Sequence, residues 1–231
     1  MNFKALAKWY AVKGAWYPWR RTTDPFRIML TEIMLQRTRA ENVAEVYPVF
    51  FARFPSPKRI AEARLTTLAS ALAPLGLKHR VPRIRELGKA LSAAKQMPGT
   101  RESLLELPGV GPYVADAVLC YSLRLPVIPV DVNIQRLFAR YYASRDAGHC
   151  AAAVLREYGS EHQGSFDIRS LNWAFLDLSK MVCTARKPKC AECPLAVGCR
   201  SDAQHRPITC SRRGTSKPFL KSTPSRERPQ R

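Results

Sequence analysis

LPGVGPYVADAVLCYSLRLPVIPVD, residues 107–131, is the stretch on which the fold turns. A helical run, Glu102 to Leu107, meets Pro108 and stops there. Gly109 and Gly111 flank Val110 in a tight turn, and a second apolar helix starts at Pro112 and runs to about Leu123. Glycines leave backbone N–H groups uncovered by any Cβ. A helix N-terminus placed directly after them adds unpaired N–H groups and the positive end of the helix dipole. Pro112 suits the first helical position, where a missing N–H costs nothing. One nucleic-acid phosphate fits such a corner without any cationic side chain; an ordinary helix–turn–helix corner with a glycine cap has the same local sequence. The continuation favours the first reading. After the helix come an apolar crossing bounded by prolines, Leu125 to Val130, and then Asp131 at the start of the next helix.

The charge balance agrees. Among 231 residues, 38 Lys and Arg face 18 Asp and Glu, a net charge of +20. An excess of that size points to a polyanion, with nucleic acid ahead of an anionic membrane surface. No apolar run approaches the roughly 18 residues needed to cross a bilayer, and the start, MNFKALAKWYAV, reads as a short amphipathic helix rather than an export signal. The expectation is a soluble cytoplasmic, nucleoid-associated monomer.

Outward from the hairpin, the periodicity is helical almost everywhere. Residues 2–12 place Phe3, Leu6 and Tyr10 on one side. The loop GAWYPWRRTTDPF has aromatics (Trp16, Tyr17, Trp19) that either stack on bases or pin the loop to the core, and Arg20 and Arg21 that would reach phosphates. Pinning is the commoner use. Asp24-Pro25 opens a helix predicted to run to about Arg39. On it Ile28, Glu32 and Leu35 share a face, so Glu32 lies among apolar residues. A carboxylate there is paired, placed at a cavity rim, or held protonated. Further helices follow over 41–54 and 57–63 and around Leu65, Leu68 and Leu72. Lys78, His79, Arg80, Arg83 and Arg85 then make a basic patch that tracks a backbone or is simply a solvated face. After Asp131, helices are predicted at 134–141, from about Ala147 to Tyr158, and from about Phe166 to Met181. Val127–Val130 is too short and proline-flanked for a sheet. The fold class is all-α, with a disordered basic arm over 201–231.

Four of the seven cysteines, Cys183, Cys190, Cys193 and Cys199, are spaced C-x6-C-x2-C-x5-C. Four thiolates that close can surround one metal centre. Zinc favours paired C-x2-C knuckles, of which there is one here, while a 4Fe–4S cluster tolerates uneven spacing. Spacing alone leaves the two nearly even. Cys120 and Cys150 have no such partners and read as small buried residues.

These features together resemble the helix-hairpin-helix DNA glycosylases, the superfamily of endonuclease III and the adenine glycosylase MutY. The resemblance rests on Leu107, Pro108, Gly109, Val110 and Gly111, on Val130, Asp131, Val132 and Asn133, and on the cysteine spacing; it covers roughly residues 1–200. It implies two helical lobes. Residues 23–125 would form a six-helix barrel lobe with the hairpin at about 102–123. Residues 126–200 would form the cluster lobe, with the N-terminal segment 1–22 packed on it. It also implies a 4Fe–4S cluster on the four cysteines, bracing a basic loop (Arg186, Lys187, Lys189) against DNA, and a partner that is double-stranded DNA bearing a mismatched or deaminated base.

The resemblance assigns roles. Gly109, Val110 and Gly111 would grip the backbone, with Lys78 and Arg80 nearby. Asp131 would stabilise the oxocarbenium-like sugar or activate water, oriented by Asn133; it is also a favoured helix cap. Tyr113 departs from the bifunctional members, which place a lysine there to form a Schiff base. A tyrosine implies monofunctional base excision repair, with Tyr113 lining the pocket. Glu32, in TEIMLQRT, matches the acidic residue that protonates the flipped base in MutY, and a mismatch-specific thymine/uracil branch has a glutamate there too. That branch also has arginine at the position of Arg37, where MutY reads glutamine, so Arg37 would fill the gap left by the flipped base. Leu77, Lys78 and His79 replace a Gly-Tyr-Tyr of MutY. The expectation is removal of thymine or uracil opposite guanine; the alternatives are an adenine glycosylase without an 8-oxoguanine domain and a non-catalytic DNA-binding protein.

Overall fold

Proline at the first helical position, with a capping side chain just before it, sets where several helices begin. In the computed structural model, which describes residues 1–161 and 167–201, Asp24 accepts hydrogen bonds from the backbone of Phe26 and Arg27 and Pro25 opens the helix. Ser56 with Pro57 repeats the device, and Thr100 makes a capping box with Ser103. Eleven α-helices follow among the described residues: α1 Phe3–Lys13, α2 Pro25–Leu35, α3 Ala40–Arg53, α4 Pro57–Glu62, α5 Leu65–Leu72, α6 Val81–Ala93, α7 Arg101–Leu105, α8 Pro112–Tyr121, α9 Val132–Tyr142, α10 Ala147–Glu161 and α11 Ile168–Met181. No strand forms among the described residues, and Val127–Val130 crosses without regular secondary structure. The all-α expectation holds. None of these helices is long and apolar enough to cross a membrane. The basic arm expected beyond Ser201 lies outside the described residues.

The helices pack in two groups that meet at α8 and α11. α4 lies against α6, and α2 lies against both α3 and α8. Gly88 allows the first pairing, because a Cβ there would come within 2.5 Å of Ile60 Cγ2. In the other group α9 packs on α10 and α11, and α1 returns to α11. Phe138 of α9 meets Phe175 of α11 edge-on, with ring centres 5.3 Å apart. Both rings are fully buried, so truncating either to alanine costs about 3–5 kcal/mol.

Several helix ends differ by two or more residues from their sequence-based positions, those of α2 and α8 among them. α2 stops at Leu35, not near Arg39. Gln36 is extended and Arg37 turns left-handed, with φ +64°. The run Gln36-Arg37-Thr38-Arg39 has no large apolar residue to bury on the α2 stripe, so nothing holds it helical. α8 stops at Tyr121, two residues early, and Arg124 (φ +56°) turns the chain into the crossing. The early end of α2 matters, because it brings Arg37 to the lip of a cavity.

Candidate active site and cysteine cavity

A cavity of about 880 Å³ opens between the C-terminal half of α2, the first turn of α8, the N-terminus of α9 and the face of α11. Asp131, Glu32, Tyr113, Asn133 and Arg37 all line it. Glu32 and Asn133 are 101 positions apart in the chain, and the fold brings all five to one cavity.

Asp131 caps α9. Its Oδ1 accepts from the backbone N–H of Asn133 (2.9 Å) and of Ile134 (2.8 Å). Its Oδ2 accepts from Asn133 Nδ2 at 2.6 Å. The cap and the amide together fix the plane of the carboxylate. Asn133 is held in turn, its Oδ1 accepting from Arg136 Nη1 at 3.0 Å. Arg136 donates onward from Nε to the Cys183 carbonyl (3.1 Å) and from Nη2 to the Ser179 carbonyl (2.9 Å). A chain of hydrogen bonds thus runs from the cysteine segment to Asp131.

Glu32 is 5% exposed. Burial pushes its carboxyl up to about 7; the neighbouring Tyr113 hydroxyl and Arg20 pull it down, while the Asp131 charge pushes it up. A glutamate poised near neutrality gives and takes protons at physiological pH. Burial and the Glu32 charge hold the Tyr113 hydroxyl well above the usual tyrosine range, so it stays a neutral donor.

The rest of the lining includes pairings that sequence reasoning missed. Arg20 does not reach outward: Nη1 and Nη2 bind the two carboxylate oxygens of Asp177, each at 2.8 Å. Its guanidinium sits 5.2 Å from the Tyr17 ring and 5.5 Å from the Trp173 ring. Tyr17 stacks on buried Trp19 at 4.7 Å. Pinning therefore wins over base stacking for Tyr17 and Trp19, and over phosphate contact for Arg20. At the rim, Lys180 Nζ donates to Glu41 Oε1 at 2.6 Å and to the Tyr17 hydroxyl at 3.2 Å. No local pattern pairs residues this far apart in the chain.

The hairpin turns as its glycines require in one place. Gly109 has φ +85°, and a Cβ there would come within 2.9 Å of the Arg83 side chain. Gly111 precedes α8 with ordinary φ, and no side chain caps that helix, which leaves its first-turn N–H groups for water or a ligand. Val110 is buried and anchors the turn. Lys78 is exposed, whereas Arg80 is half-buried. Arg80 donates from Nη1 to the Ile33 carbonyl at 2.7 Å. Its guanidinium, Arg83 and Gly109 share a small cavity of about 80 Å³ beside the turn.

Cys183, Cys190, Cys193 and Cys199 line a second cavity, of about 660 Å³. Among the described residues no three His, Cys, Asp or Glu side chains converge tightly enough for a single metal ion. Four sulfurs about 2.3 Å from one zinc would do so. Four cysteines around a roomier space fit a polynuclear iron–sulfur cluster better. Arg140, 6% exposed, donates to Cys183 Sγ (3.4 Å) and to the carbonyls of Thr184 (2.7 Å) and Ala185 (3.0 Å). A cation aimed at a ligand sulfur is a means of tuning such a centre. Cys120 and Cys150 are buried, as their isolation in the sequence implies.

Comparison with known proteins adds to this geometry. The family model described as HhH-GPD superfamily base excision DNA repair protein matches residues 30–157. The iron–sulfur binding domain of endonuclease III matches residues 183–199. A thymine-DNA glycosylase of Aeropyrum pernix is 34% identical over 200 residues, spanning 83% of this chain and 90% of that one. An adenine DNA glycosylase of Mycobacterium tuberculosis is 35% identical over 199 residues, covering 82% of this chain and 64% of its own length. The solved structure of a thermostable thymine-DNA glycosylase superposes with a TM-score of 0.75 at 28% identity, over 86% of this chain and 93% of that one.

Proposed function

Since the chain belongs to the HhH-GPD superfamily of base excision DNA repair proteins, we propose that it is a monofunctional DNA glycosylase that removes thymine or uracil opposite guanine. The observation that carries the reading is the Asp131 carboxylate, clamped at the N-terminus of α9 and opening on the same cavity as the buried carboxyl of Glu32.

The reaction breaks one C–N bond. An extruded nucleotide enters the cavity with its sugar over Asp131 and its base toward Glu32 and Tyr113. As the bond lengthens, positive charge grows on the sugar and the Asp131 carboxylate stabilises it. Glu32 gives its proton to the departing base, or Tyr113 donates a hydrogen bond to it. Water adds to the sugar carbon, and its proton leaves through a carboxylate. Asn133 keeps Asp131 aimed. Gly109, Val110 and Gly111 hold the flanking phosphate, Lys78 and Arg80 add positive charge, and Arg37 fills the vacated place in the duplex. The held, left-handed backbone at Arg37 supports that last role, since non-glycine residues adopt it at a cost of about 1–3 kcal/mol. Cys183, Cys190, Cys193 and Cys199 would hold the 4Fe–4S cluster, which would stiffen the loop they lie on.

Two features support the absence of strand cleavage. Tyr113 has no amine. Lys180 does line the cavity, and burial favours its neutral form. Its hydrogen bonds to Glu41 and Tyr17 outweigh that effect and hold its pKa above the ordinary range, so it stays an ammonium rather than a nucleophile. Identity does not discriminate, at 34% to the thymine-acting and 35% to the adenine-acting relative; Arg37 supports the choice of base.

Labelled duplexes carrying G·T, G·U, A·G and A·8-oxoguanine test the proposal. The expected result is cleavage at thymine or uracil, and only after hot alkali. Cleavage at adenine would replace the proposed substrate, breaks without alkali would contradict the role of Tyr113, and tight binding without any excision would make this a binding protein.

A further inference from the structure

Trp16 is 66% exposed, the one aromatic among the exposed large apolar side chains of the described residues. The Arg21 guanidinium lies over its ring, 5.6 Å from the centroid. The exposure does not come from a loose loop. On one side, the Ala15 N–H donates to Asp177 Oδ2 at 2.8 Å and the Ala15 carbonyl accepts from Arg20 Nη1 at 2.8 Å. On the other, Tyr17 stacks on Trp19. Both neighbours are pinned, and the ring between them is presented to solvent.

An exposed indole with a cation over it is the pairing by which proteins hold unpaired nucleotides: the ring stacks on a base and the cation meets the phosphate. The net charge of +20 favours an anionic partner. Position agrees. Tyr17, the next residue, lines the 880 Å³ cavity, and its hydroxyl meets Lys180 and Glu41 at the rim. We propose that Trp16 and Arg21 form a stacking platform for an unpaired nucleobase of the DNA strand, outside the excision cavity and beside its mouth. The strand's path rests on the glycosylase reading; the platform's affinity for an unpaired base does not.

The test uses the full-length protein, purified with its iron, and a short oligothymidylate without any lesion. Wild-type protein is expected to bind it with quenching of tryptophan fluorescence. Trp16→Ala should weaken binding about fivefold or more and remove most of the quench. Trp16→Phe should keep most of the affinity, because a phenyl ring still stacks. Arg21→Ala should lower the salt slope by about one unit. An unchanged melting temperature in each variant confirms folding. Equal affinity of wild type and Trp16→Ala, no binding of the oligomer, or Trp16→Phe binding as poorly as Trp16→Ala would each overturn the platform. A failed mismatch panel with this result intact would instead remove the proposed substrate and leave the platform standing.

Discussion

Two cavities flank α9. The cysteine cavity draws its four sulfurs from residues 183–199, and α9 adds Leu137, Arg140 and Tyr141 as its wall. The candidate excision cavity draws Glu32 from α2, Tyr113 from α8, Asp131 from the start of α9 and Asp177 from α11. One is a loop folded around a centre; the other exists only once distant helices have packed. Asn133, Arg136 and Arg140 lie three and four residues apart, along one stripe of α9. Through them the helix ties the carbonyls of the cysteine segment to the carboxylate at its own N-terminus. The contrast shows a local site joined to the assembled one by hydrogen bonds through α9.

The sharpest way to separate the two regions is Asp131→Asn. The amide keeps an oxygen to cap α9 but loses the negative charge under the sugar. Excision should fall about 10³-fold or more in single-turnover assays, with DNA affinity and iron content near wild type. An active Asp131→Asn protein would mean that the carboxylate is a helix cap and nothing else.

Glu32→Gln should cost about 10²–10⁴-fold in excision and yet stabilise the fold in alkali. The Glu32 carboxyl sits at about 7 in the folded chain against an ordinary 4.5. The folded state therefore holds this proton more tightly than the unfolded chain does. The resulting stability is complete below about 4.5 and is lost as pH rises through about 7. At pH 8 the loss is up to about 3 kcal/mol, and glutamine escapes it. Melting curves of the two proteins at pH 5 and pH 8 check this: the variant should gain on the wild type at pH 8. The wild-type excision rate should likewise decline above about pH 7. No gain at pH 8 would place the Glu32 carboxyl in a wetter setting than the packing gives it.

Arg136→Ala cuts this chain of hydrogen bonds while leaving both ends chemically intact. Misaiming the carboxylate by a fraction of an ångström should slow excision about 10- to 100-fold, with iron retained because all four cysteines remain. Excision at the wild-type rate would show that Asn133 and the backbone cap suffice to aim Asp131, and the two cavities would then be independent.

What could be read from the sequence follows the same division. The hairpin, the cap at Asp131 and the four cysteines announce themselves because each is a pattern within about 25 residues. In its own periodicity Glu32 was legible only as an anomaly, an acid on an apolar face; the resemblance in TEIMLQRT gave it a role, and its neighbour Tyr113 lies on another helix. Arg20 with Asp177 and Lys180 with Glu41 are 157 and 139 positions apart. Nothing in either neighbourhood distinguishes an arginine that will be buried from one that will meet a phosphate. Arg136 gave no signal at all, being one basic residue on a helix in a basic chain. The misplaced end of α2 has the same origin. Helical periodicity shows which residues want the core, but Gln36 to Arg39 want neither core nor helix, and the cavity takes them.

Gly109→Ala gives the smallest expected effect, and it addresses the hairpin turn at Gly109, which lines neither of the two cavities. The methyl group meets two obstacles. The backbone has φ +85°, where any side chain is strained, and the Arg83 side chain lies 2.9 Å from the new Cβ. The second is soft, because the aliphatic stem of an exposed arginine swings aside; the first is not, and costs about 1–2 kcal/mol. The turn therefore relaxes toward negative φ and turns its amides away from the strand. Since the candidate catalytic groups sit on α2, α8 and the N-terminus of α9, the defect should appear in binding alone. The prediction is about a tenfold rise in Kd for duplex DNA, with the single-turnover rate at saturation unchanged. If the rate falls as well, the hairpin positions Tyr113 along with the phosphate, and the anchoring of the strand and the chemistry upon it are one mechanical unit.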